Sequence, residues 1–310
     1  MYSPIALIGP TASGKSDLAL QLNDVHPIEI ISLDSALVYK GMDIGTAKPS
    51  AQIRQTVKHH LIDIISPLEN YDAAQFVRDC KKLIQEIQQR GHLPLIVGGT
   101  MMYYHALKNG LSFLPSQDKA IRQALQEEKE KQGLQVLYER LLKLDPETAK
   151  YIKPGDSQRI ERALEVYLLS GEKLSDAWKN KNTQEASLNV NTLVLWPEDR
   201  KILHEKIARR FKMMLHTGLI EEVIALKAAY PPLKADLPAM RTVGYRQVWA
   251  YIEGQYNFSE LVEKGIIATR QLAKRQYTWL KRWPNFKKID PFKNSETSQK
   301  KALLSLVDMC

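Results

Sequence analysis

The sequence predicts an α/β fold, a doubly wound parallel sheet carrying a helical insertion. Three observations lead to it. Apolar runs at 5–8, 28–33 and 93–97 have strand length and are too short for helices. Between them lie segments with helical spacing, so strand and helix alternate as in βαβ units. Each run also ends in residues suited to a ligand, which is where such a sheet binds one.

The first run, Ile5-Ala6-Leu7-Ile8, leads into Gly9, Pro10, Thr11, Ala12, Ser13, Gly14, Lys15 and Ser16. These residues fit G-x-x-x-x-G-K-[ST], and Leu18, Ala19, Leu20 and Leu22 continue as a helix. Strand, glycine-rich loop and helix N-terminus form a cradle of backbone N–H groups for a phosphate chain, as in ATP-binding proteins. The core is therefore expected to be P-loop NTPase-like. Lys15 would reach the outer phosphates, and the Ser16 hydroxyl would hold Mg²⁺. The second run, Ile28–Leu33, ends at Asp34, a carboxylate beside that loop. It suits either Mg²⁺ binding or proton abstraction from a nucleophile; capping the next turn is its plainer use.

Residues 71–90 place Phe76, Val77, Cys80, Leu83, Ile84 and Ile87 at helical spacing and stop at Gly91. The third run follows and closes with Gly98, Gly99 and Thr100, without the carboxylate expected in an ATPase. Its glycines are expected to admit the backbone of a substrate, and Thr100 offers a hydroxyl. A further helix starts near 103. From 116 to 191 charged helix formers dominate, broken at Gly133, Pro146, Pro154, Gly155 and Gly171. This reads as a helical insertion separating 1–115 from 192–310, which together form one catalytic core. Residues 192–196 read as a strand returning to the sheet. Helices are expected at 200–217, 220–229, 243–253 and 259–282, and the polar stretch after Asp290 is expected to be loosely ordered.

Composition bounds the class. The chain has 310 residues, 44% of them apolar and 25% charged, ordinary for a globular protein. No apolar run approaches the roughly 18 residues of a membrane helix, and the first strand begins too early for a leader. Cys80 and Cys310 supply neither a disulfide framework nor metal-ligand spacing. A cytoplasmic monomer without membrane contact is the expectation. The net charge of +9 is unevenly placed. Residues 1–190 hold 23 basic and 23 acidic side chains, whereas 191–310 hold 21 and 12.

Within 264–289 there are eight basic residues and no acidic one, which suits a polyanionic partner or a merely solvated surface. On a helix, Arg270, Lys274 and Lys281 share a stripe with Tyr277, and Arg275, Trp279 and Arg282 share the next. Leu272, Trp279 and Leu280 are expected in the core. Basic residues interleaved with aromatics suit phosphate contact and base stacking on single-stranded RNA.

These features join in one pattern. Besides the phosphate loop, the chain carries Ile31-Ser32-Leu33-Asp34-Ser35, Met42-Asp43-Ile44-Gly45-Thr46-Ala47-Lys48-Pro49 and His59-His60-Leu61-Ile62-Asp63. Val97-Gly98-Gly99-Thr100, Asp156-Ser157-Gln158-Arg159-Ile160-Glu161-Arg162, Met240-Arg241-Thr242-Val243-Gly244-Tyr245 and Thr269-Arg270-Gln271-Leu272-Ala273-Lys274-Arg275-Gln276 follow. In this order, over nearly its full length, the chain resembles the bacterial tRNA dimethylallyltransferases, the IPP transferase family; Ala36-Leu37 departs from many members.

The resemblance implies transfer of a dimethylallyl group from dimethylallyl diphosphate to an exocyclic amine of tRNA. The acceptor would be the adenosine 3′ of the anticodon, flipped out to reach the site. The loop would then bind diphosphate rather than ATP, with Mg²⁺ on Ser16. Asp34, Thr11, Arg210 and Thr100 would form the catalytic set, Asp34 taking the amine proton and Arg210 steadying the leaving group. By the same resemblance tRNA contacts fall to Asp34, Ser35, Ala36, Leu37, Thr100 and Arg122, and to Gln158, Arg159, Ile160, Glu161 and Arg162. They continue at Met240, Arg241, Thr242, Val243, Gly244 and Tyr245, and at Ala273, Lys274, Arg275, Gln276, Tyr277, Thr278, Trp279 and Leu280. The insertion would grip the anticodon stem-loop. Arg159 and Arg162 would serve equally as partners of Glu161 and Glu165 on their own helix. A P-loop kinase is the alternative, since loop, Mg²⁺ and Asp34 also suit phosphoryl transfer. It leaves the basic aromatic helix without a role.

Overall fold

The computed structural model describes residues 2–110, 114–115, 117–179 and 188–307; Cys310 and residues 180–187 lie outside them. The chain forms two compact units, Met1–Lys108 with Asn189–Cys310, and Asn109–Leu188. The sequence reading put the corresponding changes at 115 and 191.

The first unit carries β1 (Ile5–Ile8), β2 (Ile28–Leu33), β3 (His59–His60), β4 (Leu93–Gly98), β5 (Asn191–Leu195) and β6 (Lys287–Ile289), all parallel, in the order β3-β2-β4-β1-β5-β6. Every residue of β1, β2 and β4 is buried, as the continuous apolar runs of a doubly covered parallel sheet require. Helices α1 (Lys15–Leu22), α2 (Ala51–Thr56), α3 (Ala73–Gln89) and α4 (Met101–Asn109) connect its N-terminal half. In the second unit, α5 (Lys119–Gln132), α6 (Leu134–Leu144), α7 (Pro146–Ala149), α8 (Ser157–Ser170) and α9 (Leu174–Lys179) follow. The first unit then resumes with α10 (Arg200–His216), α11 (Leu219–Ala229), α12 (Tyr245–Ile252), α13 (Phe258–Leu280) and α14 (Glu296–Leu304).

Register brings the strand ends together. Gly98 at the end of β4 is level with Ile8 of β1 and with Leu33 of β2. The loop after β1, Asp34 after β2 and Thr100 after β4 therefore converge at the C-terminal ends of the central strands. The glycine pair also serves this convergence, beyond the substrate approach expected of it. A Cβ on Gly98 would lie 2.1 Å from the Leu33 carbonyl oxygen, and one on Gly99 2.4 Å from Gln276 Nε2.

β6 extends the sheet beside β5. Beyond it, contrary to the expected loose order after Asp290, residues 291–307 include α14, and Leu303 with the following Leu306 and Val307 packs in one core with Leu18 and Leu22 of α1. The few apolar residues of α14 lie among Glu296, Lys300 and Lys301, so a polar average hid them. Exposed Lys287 and Lys288 blunt the sheet edge. A second core joins Phe211, Leu219, Val223, Met240, Tyr245, Val248 and Leu261 beneath α10 to α13. There α13 crosses so near α10 that a Cβ on Gly265 would sit 2.0 Å from Phe211 Cζ.

The helical unit closes on Leu125, Leu137, Leu141, Ile160 and Leu164. Two buried carboxylates fasten it. Asp145 accepts the N–H and O–H of Thr148 and the N–H of Ser175, while Glu165 takes Arg122, Arg162 and the Asp118 N–H. No helix of the described residues is long and apolar enough to cross a membrane.

Candidate active site

The phosphate loop is shaped by two residues in the left-handed region, Ala12 with φ 62° and Gly14 with φ 88°. Gly14 caps α1 without a side-chain bond, so the first amides of the helix face the cavity unsatisfied by any cap. A cavity of about 900 Å³ opens there, lined by residues 11–16, Ser32, Asp34, Val97, Arg209 and Arg210. Gly9 and Pro10 are buried behind it. Lys15 donates to the Pro10 carbonyl at 2.7 Å, folded onto its own loop. Burial, helped by the Arg210 charge and opposed by Asp34, lowers its pKa to about 7. Ser13 Oγ and Ser32 Oγ are buried without a hydrogen-bond partner, two hydroxyls for which the protein supplies no acceptor.

A neighbouring cavity of about 420 Å³ is lined by Asp34, Ser35, Ala36, Thr46, Thr100, Met102, Arg241, Thr242, Val243, Gly244, Arg275 and Trp279. Thr11, Ala12, Asp34, Arg210 and Gln276 line both cavities. Asp34 Oδ1 accepts the N–H groups of Ala36 at 2.8 Å and Leu37 at 3.4 Å, so the carboxylate caps its turn and still leaves Oδ2 open. Burial raises its pKa, against the pull of those amides, Lys15 and Arg210. The Thr100 hydroxyl oxygen accepts the Ser35 N–H at 3.0 Å, tying the end of β4 to the residue after Asp34. Arg210 loses some of its ordinary basicity to burial, offset by Asp34 and Asp17.

The residues expected at RNA differ in exposure. Met240, Tyr245, Ile160, Ala273, Tyr277 and Leu280 are buried within the chain itself. Tyr277 leaves the basic stripe to donate its O–H to the Pro197 carbonyl at 2.6 Å. Leu272 and Trp279, assigned to the core by spacing, are half-buried and line the cavities instead. The Gln276 amide is committed at both ends, accepting from Thr11 N–H and donating to the Gly99 carbonyl, each at 2.9 Å. It thereby locks α13 to the loop and to β4. Lys274 and Thr278 are exposed on α13 without lining either cavity.

In the helical unit, Arg122 and Arg162 grip Glu165, Arg159 pairs with Asp156 rather than Glu161, and Glu161 meets Lys129. Gln158 and Arg159 are exposed. Sequence reasoning missed Ile207, Phe211 and Met214, which share the cavity face with Arg210. Ile207 and Met214, three residues before and four after Arg210, carried that signal in their helical offsets, whereas Phe211 did not.

The model of the IPP transferase family matches residues 37–283. A tRNA dimethylallyltransferase of Neisseria meningitidis is 57% identical over 287 residues, covering 93% of this chain and 92% of that one. Among solved structures, the tRNA delta(2)-isopentenylpyrophosphate transferase of Staphylococcus epidermidis is 32% identical, with TM-score 0.69 and 99% coverage of both chains. A eukaryotic dimethylallyltransferase acting on tRNA is 26% identical, with TM-score 0.78, covering 98% of this chain and 77% of that one. The P-loop-like core, the paired cavities and these likenesses agree: the chain belongs to the IPP transferases, the family of the tRNA dimethylallyltransferases.

Proposed function

We propose that this chain moves a dimethylallyl group from dimethylallyl diphosphate to the exocyclic amine of the adenosine 3′ of a tRNA anticodon. The observation that carries the reading is the place of Asp34. It lies where a cavity ringed by the phosphate loop meets one ringed by Thr100, Arg241, Arg275 and Trp279. An anionic leaving group suits the first, with the loop amides, Lys15, Arg210 and the free hydroxyls of Ser13 and Ser32 as donors. A flipped base suits the second, with Trp279 for stacking and two arginines for phosphates.

As the carbon–nitrogen bond forms and the carbon–oxygen bond to diphosphate breaks, the amine proton passes to Asp34. A carboxylate made more basic by burial is fitted to take it. Mg²⁺ suits this site as a companion of the diphosphate. Ser16 presents an exposed hydroxyl to the cavity, and Mg²⁺ readily completes its shell with phosphate oxygens and water. When bound there it would supply further neutralisation of the leaving group. A kinase reading gains nothing from the aromatic, basic wall of the second cavity.

The test is a transfer assay with labelled dimethylallyl diphosphate, Mg²⁺ and unmodified tRNA, beside an ATP control. Label on the adenosine following the anticodon, without ATP consumption, is the expected result. Asp34→Asn should lower turnover by about 10²- to 10⁴-fold while tRNA binding stays nearly unchanged. ATP turnover without label would make the chain a kinase.

A further inference from the structure

Glu222, in the first turn of α11, has no part in the chemistry above, yet its carboxylate holds four donors. Oε2 accepts the N–H of Asp43 at 3.0 Å and of Ile44 at 2.7 Å. Oε1 accepts the N–H of Gly45 at 3.2 Å and the phenol O–H of Tyr245. Three consecutive backbone amides on one carboxylate fix a loop that no helix or strand holds. Asp43 and Ile44 line the cavity of the phosphate loop, Gly45 lines the cavity of Thr100, and Thr46 lines both.

Tyr245 is wholly buried and begins α12, directly after the wall residues Arg241 to Gly244. Its ring packs so closely that a Cβ on Gly45 would lie 2.5 Å from Tyr245 Cε2. The far end of the loop is held separately. Lys48, with a side chain 2% exposed, reaches Asp43, Asp63 and the Tyr39 carbonyl. Glu222 thus takes the three amides of residues 43–45 and links them to α12, while Lys48 and turn bonds hold the Asp43 side chain and the carbonyls of Asp43 and Ile44.

We propose that Glu222 is a positioning residue for transfer, setting the shared wall across which donor carbon and acceptor amine meet. The proposal rests on the transfer reading above. Removing the carboxylate frees the wall and leaves the phosphate loop untouched. The effect therefore falls on kcat rather than on donor KM.

The experiment compares Glu222→Ala, Glu222→Gln and Tyr245→Phe in the full chain, by steady-state transfer and by amide exchange of residues 43–45. Glu222→Ala should lower kcat about tenfold to a hundredfold, with donor KM within about twofold, and speed exchange of those amides. Glu222→Gln, which keeps one acceptor oxygen, should recover part of kcat, and Tyr245→Phe should fall between. Unchanged kcat in Glu222→Ala overturns the proposal. So does a loss of kcat that only tracks the unfolded fraction in thermal melts. If the parent protein transfers no dimethylallyl group, the transfer reading fails, and amide exchange alone then decides whether Glu222 holds the wall.

Discussion

Lys15 shows how one side chain registers its ligand. In the free protein its ammonium rests on the Pro10 carbonyl, and burial with the nearby Arg210 charge outweighs Asp34 to bring its pKa to about 7. A diphosphate in the loop favours the charged form and must draw a proton back onto Lys15 between pH 7 and its ordinary 10.5. Binding should then take up about one proton at pH 8.5 and weaken as pH rises through that window. Calorimetry in buffers of different ionisation enthalpy measures it. Lys15→Arg, charged throughout, should bind without that uptake; equal uptake by both proteins would exclude Lys15 as its source. Thr11, Lys15 and Ser16 were legible because the eight-residue pattern fixes backbone and chemistry together. The bridging role of Gln276 was not legible, because nothing in a helix pattern tells that its amide joins Thr11 to Gly99.

At the scale of elements, the crossing of α10 and α13 positions Arg210. Phe211 fills the space that a side chain at 265 would need, so the neighbour of Arg210 is seated against a glycine. Gly265→Ala gains helix propensity yet overpacks the crossing, and should lower unfolding free energy by about 1–3 kcal/mol and shift Arg210. Diphosphate affinity should fall with it; a stabilised protein with parental affinity would show that the crossing adapts. The helix α13 itself was visible from its spacing, and its basic excess from composition. Leu280 is in the core as its spacing predicts, but Leu272 and Trp279 line a cavity that exists only once α10 and the strand ends are in place. The stretch after Asp290 was misread for a related reason: Leu303, Leu306 and Val307 are buried only because α1 offers Leu18 and Leu22 to pack against.

For the whole molecule, one source of stability lost in acid is Glu29 of β2, 2% exposed and bound by Arg90 at 2.7 and 2.8 Å, with His60 at 2.6 Å and His92 at 3.0 Å. Burial would raise this carboxyl, but hydrogen bonds from Arg90 and His60 outweigh it and hold the pKa at about 2. A depressed carboxyl contributes stability above its unfolded value, lost as pH falls through the folded one. Urea unfolding at pH 7 should show Glu29→Gln about 3 kcal/mol less stable than the parent. The difference should shrink between pH 4.5 and 2; a constant difference would place the stabilisation elsewhere.

The sequence by itself determined the parallel core, the phosphate loop, Asp34 and the family pattern, because strand runs, glycine spacing and local helix period are written within short windows. Only the tertiary structure decided that Glu222 grips three amides of a distant loop, that Gly98 and Gly99 serve the protein's own packing, and that Asp34 stands between two cavities. Those facts depend on contacts between residues far apart in the chain, and no local pattern carries them.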